Sequence, residues 1–220
     1  MITIENLSKR YETDTGYSDW ILRNINLQIP SNVNVGLIGK NGAGKSTLIR
    51  LIGGLDTPST GKITVDSRIS WPMNFQGGMK GNLTGKQNAK FILRIHGIPE
   101  HELPEKLEFA QQYSELGKAF DDKINTYSSG MKSRLNFSLS LAFDFNVYLA
   151  DEILSVGDAA FRKKITNSFL GENRSKNLIL VSHNEATLLQ MCEAGIYVKD
   201  GGAIWFDNIR DALKAYGGAR

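Results

Sequence analysis

The chain has 220 residues, enough for one large domain with a real hydrophobic core, or for one domain with a lobe. Its net charge of +3 comes without a dense run of lysine and arginine, so the sequence does not indicate nucleic-acid binding. Its single cysteine excludes an internal disulfide framework and indicates a reducing compartment. Neither a secretory leader nor an apolar run near about 20 residues is expected, so a membrane role would depend on a partner.

The first part of the chain predicts strands that lead into a loop and a helix. MITIENL is typical of a strand, and ILRNINLQIP places Ile25, Leu27 and Ile29 on one face with a period of two. NVGLIG predicts a third, more buried strand. The helix that follows is expected to end near Gly53, and KITVDSRISW adds one or two further strands.

Between the third strand and that helix, LIGKNGAGKSTL fits the phosphate-loop pattern G-x-x-x-x-G-K-[ST] in full. Its glycines let the backbone wrap closely around a phosphate, with N–H groups pointing inward. Lys45 is expected to reach the β- and γ-phosphates, and the Ser46 hydroxyl to hold Mg²⁺. The predicted nucleotide-binding residues of this loop are Gly39, Lys40, Asn41, Gly42, Ala43, Gly44, Lys45, Ser46 and Thr47.

From about residue 79 to 141 the chain changes character and is mostly helical. In LTGKQNAKFILRIHG, Thr84 is a candidate N-cap. PEHELPEKLEFAQQYSELG is charged and amphipathic, which predicts a surface helix. The apolar stripe predicted for the first of these helices consists of Ala89, Phe91, Ile92 and Ile95.

A second anion-binding pattern, TYSSGMKSRL at residues 126–135, opens the last helix of this region. Unpaired backbone N–H groups and the helix dipole favour negative charge at such a start. An ordinary N-capped helix start would explain its serine and glycine equally well. A chain with a complete phosphate loop has no obvious use for a second cradle, so the stretch requires a separate explanation.

The pattern then returns to strands that end in polar residues. VYLADE delivers Asp151 and Glu152 at the carboxyl end of a buried strand, expected beside the phosphate loop in a parallel sheet. Asp151 is expected to bind Mg²⁺ through water, and Glu152 to act as general base on, or to orient, the attacking water. NLILVSH repeats the geometry and brings His183 to the γ-phosphate. Binding and hydrolysis of a nucleoside triphosphate follow from these residues.

The remaining segments predict further α/β structure. DAAFRKKITNSFL, EATLLQMCEAG and IRDALKAYG are expected to be helices, and IYVKDGGAIWF a hairpin that turns at Asp-Gly-Gly. The chain therefore predicts a single α/β domain of the P-loop NTPase type with a mixed or parallel sheet. We expect a catalytic core of about 1–78 and 142–220 with an inserted helical lobe of about 79–141.

The order of these motifs resembles that of ATP-binding cassette (ABC) ATPases across essentially the whole chain. TYSSGMKSRL is similar to the signature motif, usually LSGGQ, although Ser129 and Met131 depart from it. The loop and VYLADE resemble Walker A and Walker B. The resemblance gives roles to four more positions: Gln76 as the Q-loop glutamine near Mg²⁺, Asp158 ending a D-loop, His183 as the switch histidine, and Tyr11 as the residue that stacks on adenine. Tyr17 and Trp20 compete with Tyr11 for that stacking.

This resemblance implies an answer to the question of two phosphate sites. In ABC proteins two copies associate head to tail, and each ATP lies between one chain's phosphate loop and the other chain's signature helix. Ser128, Ser129 and Gly130 would then bind the nucleotide of the partner chain. Closure needs the γ-phosphate, so hydrolysis of ATP reopens the homodimer.

Three further stretches are similar to one subfamily, the ATPases of bacterial polysaccharide exporters. They are ISWPMNFQGGMKGNLTGKQN, YSSGMKSRL and DEILSVGDAAFRKK, and the first looks especially like the capsular type. The chain also ends at Arg220, without room for the carbohydrate-binding domain of some O-antigen exporters. The resemblance implies ATP and Mg²⁺ as cofactors, an integral membrane permease subunit, a lipid-linked polysaccharide cargo, and a peripheral location on the cytoplasmic face of the inner membrane.

Other functions stay open at this point. The cargo could be O-antigen, teichoic acid or another lipid-linked molecule. A soluble ABC protein of translation or DNA repair usually carries two cassettes or a long coiled-coil insertion, which 220 residues do not allow. A small-molecule kinase would share the phosphate loop but would leave TYSSGMKSRL and His183 unexplained.

Overall fold

A computed structural model describes residues 1–73, 78–151, 158–170 and 176–218. Gln76 and Glu152 lie outside the described residues. The chain divides into two compact units. The first comprises Met1–Pro72, Phe145–Glu152 and Thr166–Arg220, and the second comprises Met73–Asp144 and Ile153–Ile165. Among the described residues, no helix combines the length and the apolar character that a bilayer span requires.

The described elements follow the chain in an alternating order. The strands are β1 (Ile2–Lys9), β2 (Glu12–Thr13), β3 (Gly16–Tyr17), β4 (Leu22–Ile29), β5 (Val35–Ile38), β6 (Thr60–Val65), β7 (Ile69–Pro72), β8 (Val147–Asp151), β9 (Asn177–Val181), β10 (Ala194–Lys199) and β11 (Gly202–Phe206). The helices are α1 (Lys45–Ile52), α2 (Gly85–Ile95), α3 (Leu103–Ser114), α4 (Ser129–Ala142), α5 (Ala159–Phe169), α6 (Glu185–Met191) and α7 (Ile209–Gly217), and short 3₁₀ turns cover Gly117–Asp121 and Ile124–Thr126.

The first unit contains the sheets. Strands β4, β1 and β6 form an antiparallel sheet, and the larger sheet has the order β11-β10-β5-β9-β8-β7. Five of its strands pair in parallel, and only β11 runs antiparallel at the edge. Every residue of β5 and β9 is buried, as expected for the interior of a parallel sheet. The predicted α/β fold with a mixed, mostly parallel sheet is confirmed.

Strand order determines how Asp151 approaches the phosphate loop. Strand β9 pairs with both β8, which delivers Asp151, and β5, which leads to the loop, and it lies between them. The strand that leads to His183 is therefore central, and Asp151 approaches the loop from one strand further away.

The apolar face of α2 also differs from its prediction. Thr84 caps this helix and forms a reciprocal capping box, as its position suggested. Ala89 and Ile92 are buried, but Phe91 is 43% and Ile95 58% exposed, so half of the predicted stripe is wrong. The buried face passes instead through Asn88, whose Oδ1 accepts from the Lys80 N–H at 2.7 Å and whose Nδ2 donates to the carbonyls of Lys80 and Thr84. Asn88, whose amide is hydrogen-bonded to local backbone groups, occupies a buried position that the apolar pattern did not predict.

One buried polar side chain fixes the start of the strand that carries the phosphate loop. Asn34 is 0% exposed and lies immediately before β5. Its Nδ2 donates to the carbonyls of Phe169 (3.1 Å) and Met191 (2.9 Å), and its Oδ1 accepts from the Leu178 N–H at 2.9 Å. Since all three partners are backbone groups, the side chain joins β5 to β9 and to the ends of α5 and α6.

We expect Asn34→Ala to lower the free energy of unfolding by roughly 2–4 kcal/mol, because each buried group left without a partner costs about 1–3 kcal/mol. Chemical denaturation of the whole protein measures this. Asn125→Ala, at an exposed position, is the matched control and should change stability by less than about 0.5 kcal/mol. Equal effects of the two substitutions would contradict the role given to Asn34.

Candidate active site

Residues 39–44 join β5 to α1 and follow the backbone path of a phosphate loop. A Cβ at Gly39 would collide with the Val198 carbonyl oxygen. Gly44 has a φ of +101°, and a Cβ there would lie 2.8 Å from Leu22 Cδ2. Glycine is therefore required at both ends of the loop by the close approach of neighbouring strands. The Ala43 N–H donates to the Lys40 carbonyl at 3.1 Å and tightens the turn between them.

The Lys45 side chain lies along the inside of this loop. It is 7% exposed, and its Nζ donates to the carbonyls of Gly39 (2.8 Å) and Lys40 (2.9 Å). A buried ammonium held by backbone carbonyls is a positive charge positioned before any anion arrives. Phosphate oxygens are stronger acceptors for it than neutral carbonyls are.

Ser46 and Asp151 are 105 residues apart in sequence, and their side chains meet. The Ser46 hydroxyl donates to Asp151 Oδ2 at 3.2 Å. Adjacent oxygens around Mg²⁺, which takes ligands at about 2.1 Å, lie roughly 3 Å apart, so this pair fits the coordination sphere of one ion. His183 follows β9 at the same carboxyl edge of the parallel strands and is exposed. Of the predicted catalytic groups, Lys45 and His183 are described and Glu152 is not.

The Tyr11 ring is fixed from two sides. Its hydroxyl donates to Asp56 Oδ2 at 2.7 Å, and Lys9 Nζ lies 4.5 Å from the ring centroid and 2.7 Å from Asp56 Oδ1. Burial, and then the hydrogen bond to Asp56, raise the pKa of Tyr11, while Thr47 in the first turn of α1 lowers this pKa through a side-chain hydrogen bond.

The competing aromatic side chains share a different cation. The Arg10 guanidinium lies 4.1 Å from the Tyr17 ring centroid and 4.6 Å from that of Trp20. Trp20 also lines a cavity of about 610 Å³ together with residues 40–43 of the loop. A cation already stacks on each of the three rings, so the choice of Tyr11 as the adenine-stacking residue stays a prediction.

In the second unit, TYSSGMKSRL begins α4. Ser128 is the N-cap, and its Oγ accepts from the Met131 N–H at 3.2 Å. Ser128 and Ser129 are exposed. A Cβ at Gly130 would find only Ser128 Oγ, 3.8 Å away, among the described residues. Helix capping therefore explains the serine, but nothing described in this chain requires a glycine at 130.

An ion network that the motifs alone did not reveal surrounds the base of α4. Arg134 donates to Glu115 at 3.0 Å and to Asp158 at 2.6 Å, and its guanidinium lies 4.6 Å from the Phe161 ring centroid. Lys164 of α5 adds a bond of 2.8 Å to Glu115. Arg134 belongs to the TYSSGMKSRL stretch, and its place in that motif is the sequence feature that could have identified it. The predicted D-loop residue Asp158 is thus tied directly to the helix that the signature opens.

The two carboxylates of this network have lowered pKa values. The hydrogen bond from Lys164 contributes most to lowering the pKa of Glu115, and Arg134 contributes further. The hydrogen bond from the Phe161 N–H contributes most for Asp158, followed by the charge of Arg134. Their stabilising effect is present at neutral pH and is lost as the pH falls through the lowered pKa values.

Comparison with known proteins places these features in a family. The family profile described as ABC transporter matches residues 22–155. The chain is 48% identical to the polysialic acid transport ATP-binding protein KpsT of Escherichia coli over 98% of each chain. It is 39% identical to the capsule polysaccharide export ATP-binding protein CtrD of Neisseria meningitidis, again over 98% of each. A solved dimeric post-hydrolysis structure of the ATP-binding cassette MJ0796 with ADP and Pi has a TM-score of 0.77 at 25% identity, over 92% of this chain and 96% of the other.

We expect Arg134→Gln to raise the pKa of both Asp158 and Glu115, because both carboxylates lose the guanidinium. Lys164→Gln is the matched control: it should raise the pKa of Glu115 and leave that of Asp158 unchanged, since Lys164 bonds only Glu115 of the two. NMR titration of the side-chain carboxyl carbons measures both values. Equal shifts of Asp158 in the two variants would contradict the network.

Proposed function

The chain belongs to the ABC transporter family and is an ATPase, and from that premise we propose that it powers export of a capsular polysaccharide across a bacterial inner membrane. The contact between Ser46 and Asp151 supports the ATPase part, because it assembles the two halves of a nucleotide–metal site. Similarity over 98% of both chains to capsule and polysialic acid transport ATPases supports the export part. That similarity favours this cargo over the runners-up, O-antigen, teichoic acid and other lipid-linked molecules.

ATP binds along the phosphate loop. Backbone N–H groups of the loop would face the phosphates, and Lys45 would exchange its carbonyl partners for β- and γ-phosphate oxygens. Ser46, Asp151 and Gln76 would hold Mg²⁺, which would neutralise charge on the phosphates. Glu152 orients or deprotonates the attacking water, and His183 contacts the γ-phosphate.

The signature residues act on the nucleotide of a second copy. Ser128, Ser129 and Gly130 present the N-terminus of α4 outward, and this glycine leaves room for the close approach of another molecule's phosphates. A symmetric homodimer would contain two such composite sites. Asp158, which is hydrogen-bonded to Arg134 of α4, would couple the nucleotide state of one composite site to that of the other.

Coupling to transport requires a separate integral membrane subunit. We assign the nucleotide chemistry to the core, about 1–78 and 142–220. We assign the contact with the membrane subunit to the helical lobe, about 79–141, and to the loop at its start, near residues 76–83. The protein would then lie on the cytoplasmic face of the inner membrane, with a lipid-linked polysaccharide as cargo. A soluble ABC ATPase without a transport role is the second candidate, and the experiment below separates the two.

The test is to express Glu152→Gln in the native host, hold it in Mg-ATP and identify by mass spectrometry what co-purifies in detergent. Loss of the catalytic carboxylate should slow hydrolysis by on the order of a hundredfold or more and keep the dimer closed. We expect an integral membrane protein together with a lipid-linked glycan. Lys45→Ala, which should not retain ATP, is the control. Recovery of only ribosomes, DNA or soluble partners would contradict transport.

We predict that Tyr11→Ala weakens ATP binding about tenfold to a hundredfold, because stacking on one base contributes roughly 1–3 kcal/mol. Tyr11→Phe keeps the ring and loses only the bond to Asp56, so its affinity should stay within a few-fold. Calorimetric titration in the Glu152→Gln background, where turnover is slow, gives the dissociation constants. A loss of affinity in Trp20→Ala or Tyr17→Ala, with Tyr11→Ala unaffected, would assign adenine stacking elsewhere.

A further inference from the structure

One residue of the TYSSGMKSRL stretch is buried, although the two residues after it are exposed. Tyr127 is 5% exposed and immediately precedes Ser128, the N-cap of α4. Ser128 and Ser129 are exposed. Because a planar peptide unit joins Tyr127 to the N-cap, the atoms that hold Tyr127 also limit where the helix can begin.

The Tyr127 ring packs against the start of α2. Gly85 is the first residue of this helix, and a Cβ there would collide with the Tyr127 hydroxyl. The same Cβ would lie 3.2 Å from Tyr127 Cζ and 3.0 Å from the Phe120 carbonyl oxygen. The backbone of Gly85 does not adopt a positive φ, so this close contact, and not the backbone conformation, requires the glycine.

The Tyr127 hydroxyl adds a hydrogen bond to this packing. It donates to the Ala119 carbonyl at 2.5 Å. Burial, and then the charges of Asp122 and Asp121, raise the pKa of Tyr127, so the proton that makes the bond is present at neutral pH. The ring is therefore fixed by a hydrogen bond as well as by its contact with α2.

Backbone hydrogen bonds join the same two segments of the chain. The Gly85 N–H donates to the Asp122 carbonyl at 3.1 Å, and the Ile124 N–H donates to the Leu83 carbonyl at 3.0 Å. The chain just before Tyr127 is thus paired with the chain that leads into α2. All of these contacts lie within the second unit.

We propose that Tyr127 is a positioning residue for ATP hydrolysis, whose ring sets the start of α4 and thereby the place of Ser128 and Gly130 against the partner chain's nucleotide. The inference rests on the proposed function, in which these two residues complete the site of a second copy. Tyr127 is buried and acts only through the residues after it. A displacement of about 1 Å at a site can cost on the order of a hundredfold in rate, so this contact bears on catalysis.

The test adds a methyl group against the ring and then removes the atom that it meets. Gly85→Ala should lower kcat for ATP hydrolysis about tenfold to a hundredfold. KM for ATP should stay within about twofold, because the chain's own phosphate loop still binds ATP. Tyr127→Phe keeps the ring and loses one hydrogen bond, so its kcat should stay within about threefold of the unchanged value. The double variant should be more active than Gly85→Ala.

Gly217→Ala is the matched control for the added methyl group. It lies at the end of α7, where a Cβ would meet no described atom within 4 Å, and it should leave ATP hydrolysis unchanged. Circular dichroism checks that each variant is folded. If Gly85→Ala does not fold, Tyr127→Leu takes its place, because it loses the contact and the hydrogen bond without adding a clash.

Mixtures of two variants assign the defect to the partner's site. Gly85→Ala mixed with Lys45→Ala should recover about a quarter of the unchanged activity, because one site of each mixed dimer carries neither lesion. Gly85→Ala mixed with Gly130→Asp should not recover, because both lesions lie in the signature half of a site and every site carries one of them.

Full activity of Gly85→Ala, or a double variant no more active than Gly85→Ala, would overturn the role of the contact with Tyr127. The placement at the partner's site would be wrong if Gly85→Ala recovers with Gly130→Asp, or fails to recover with Lys45→Ala while Lys45→Ala and Gly130→Asp restore each other. In those cases the proposed function stands. No recovery in any mixture would contradict the composite site and this role together.

Discussion

The contact between the Ser46 hydroxyl and the Asp151 carboxylate is the point on which the catalytic half of the molecule depends. The two side chains meet at 3.2 Å across 105 residues of sequence only because three parallel strands hold their carboxyl ends at one edge. Ser46 lies in the first turn of α1, which follows β5 through the phosphate loop, and the start of β5 is held by the Asn34 amide. A metal–phosphate site at this contact would tolerate little displacement, so the buried amide at one end of the sheet would also support the chemistry proposed at the other.

Within the second unit, charge connects α4 to the residue that precedes α5. Helix α4 begins with exposed Ser128 and Ser129, and its base is tied by Arg134 to Asp158. A helix N-terminus attracts phosphate. The bond from Arg134 to Asp158, whose other carboxylate oxygen accepts from the Phe161 N–H, connects this helix to the start of α5.

The sequence predicted the local features of the site and missed those that depend on distant neighbours. The phosphate-loop pattern between a strand and a helix, the Thr84 cap and the helix opened by TYSSGMKSRL follow from short patterns, and each is present as predicted. The position of β9 between β5 and β8 could not be predicted, because strand order is set by crossover connections rather than by any one strand. Phe91 and Ile95 were misplaced because Asn88, satisfied by nearby backbone, replaced an apolar residue on the buried face. Arg134 was overlooked because Glu115, its partner, is 19 residues away and carries no motif.

The composite site is tested most directly by mixing two inactive chains, one with Lys45→Ala and one with Gly130→Asp. In a mixed dimer one site carries both lesions and the other carries neither, so ATP hydrolysis should recover. At equal amounts about half of the dimers are mixed and each has one intact site of two, which predicts about a quarter of the unchanged activity. Pull-down through two different tags confirms that mixed dimers form. If they form and ATP hydrolysis stays at the level of the separate variants, each site belongs to a single chain and the composite arrangement is wrong.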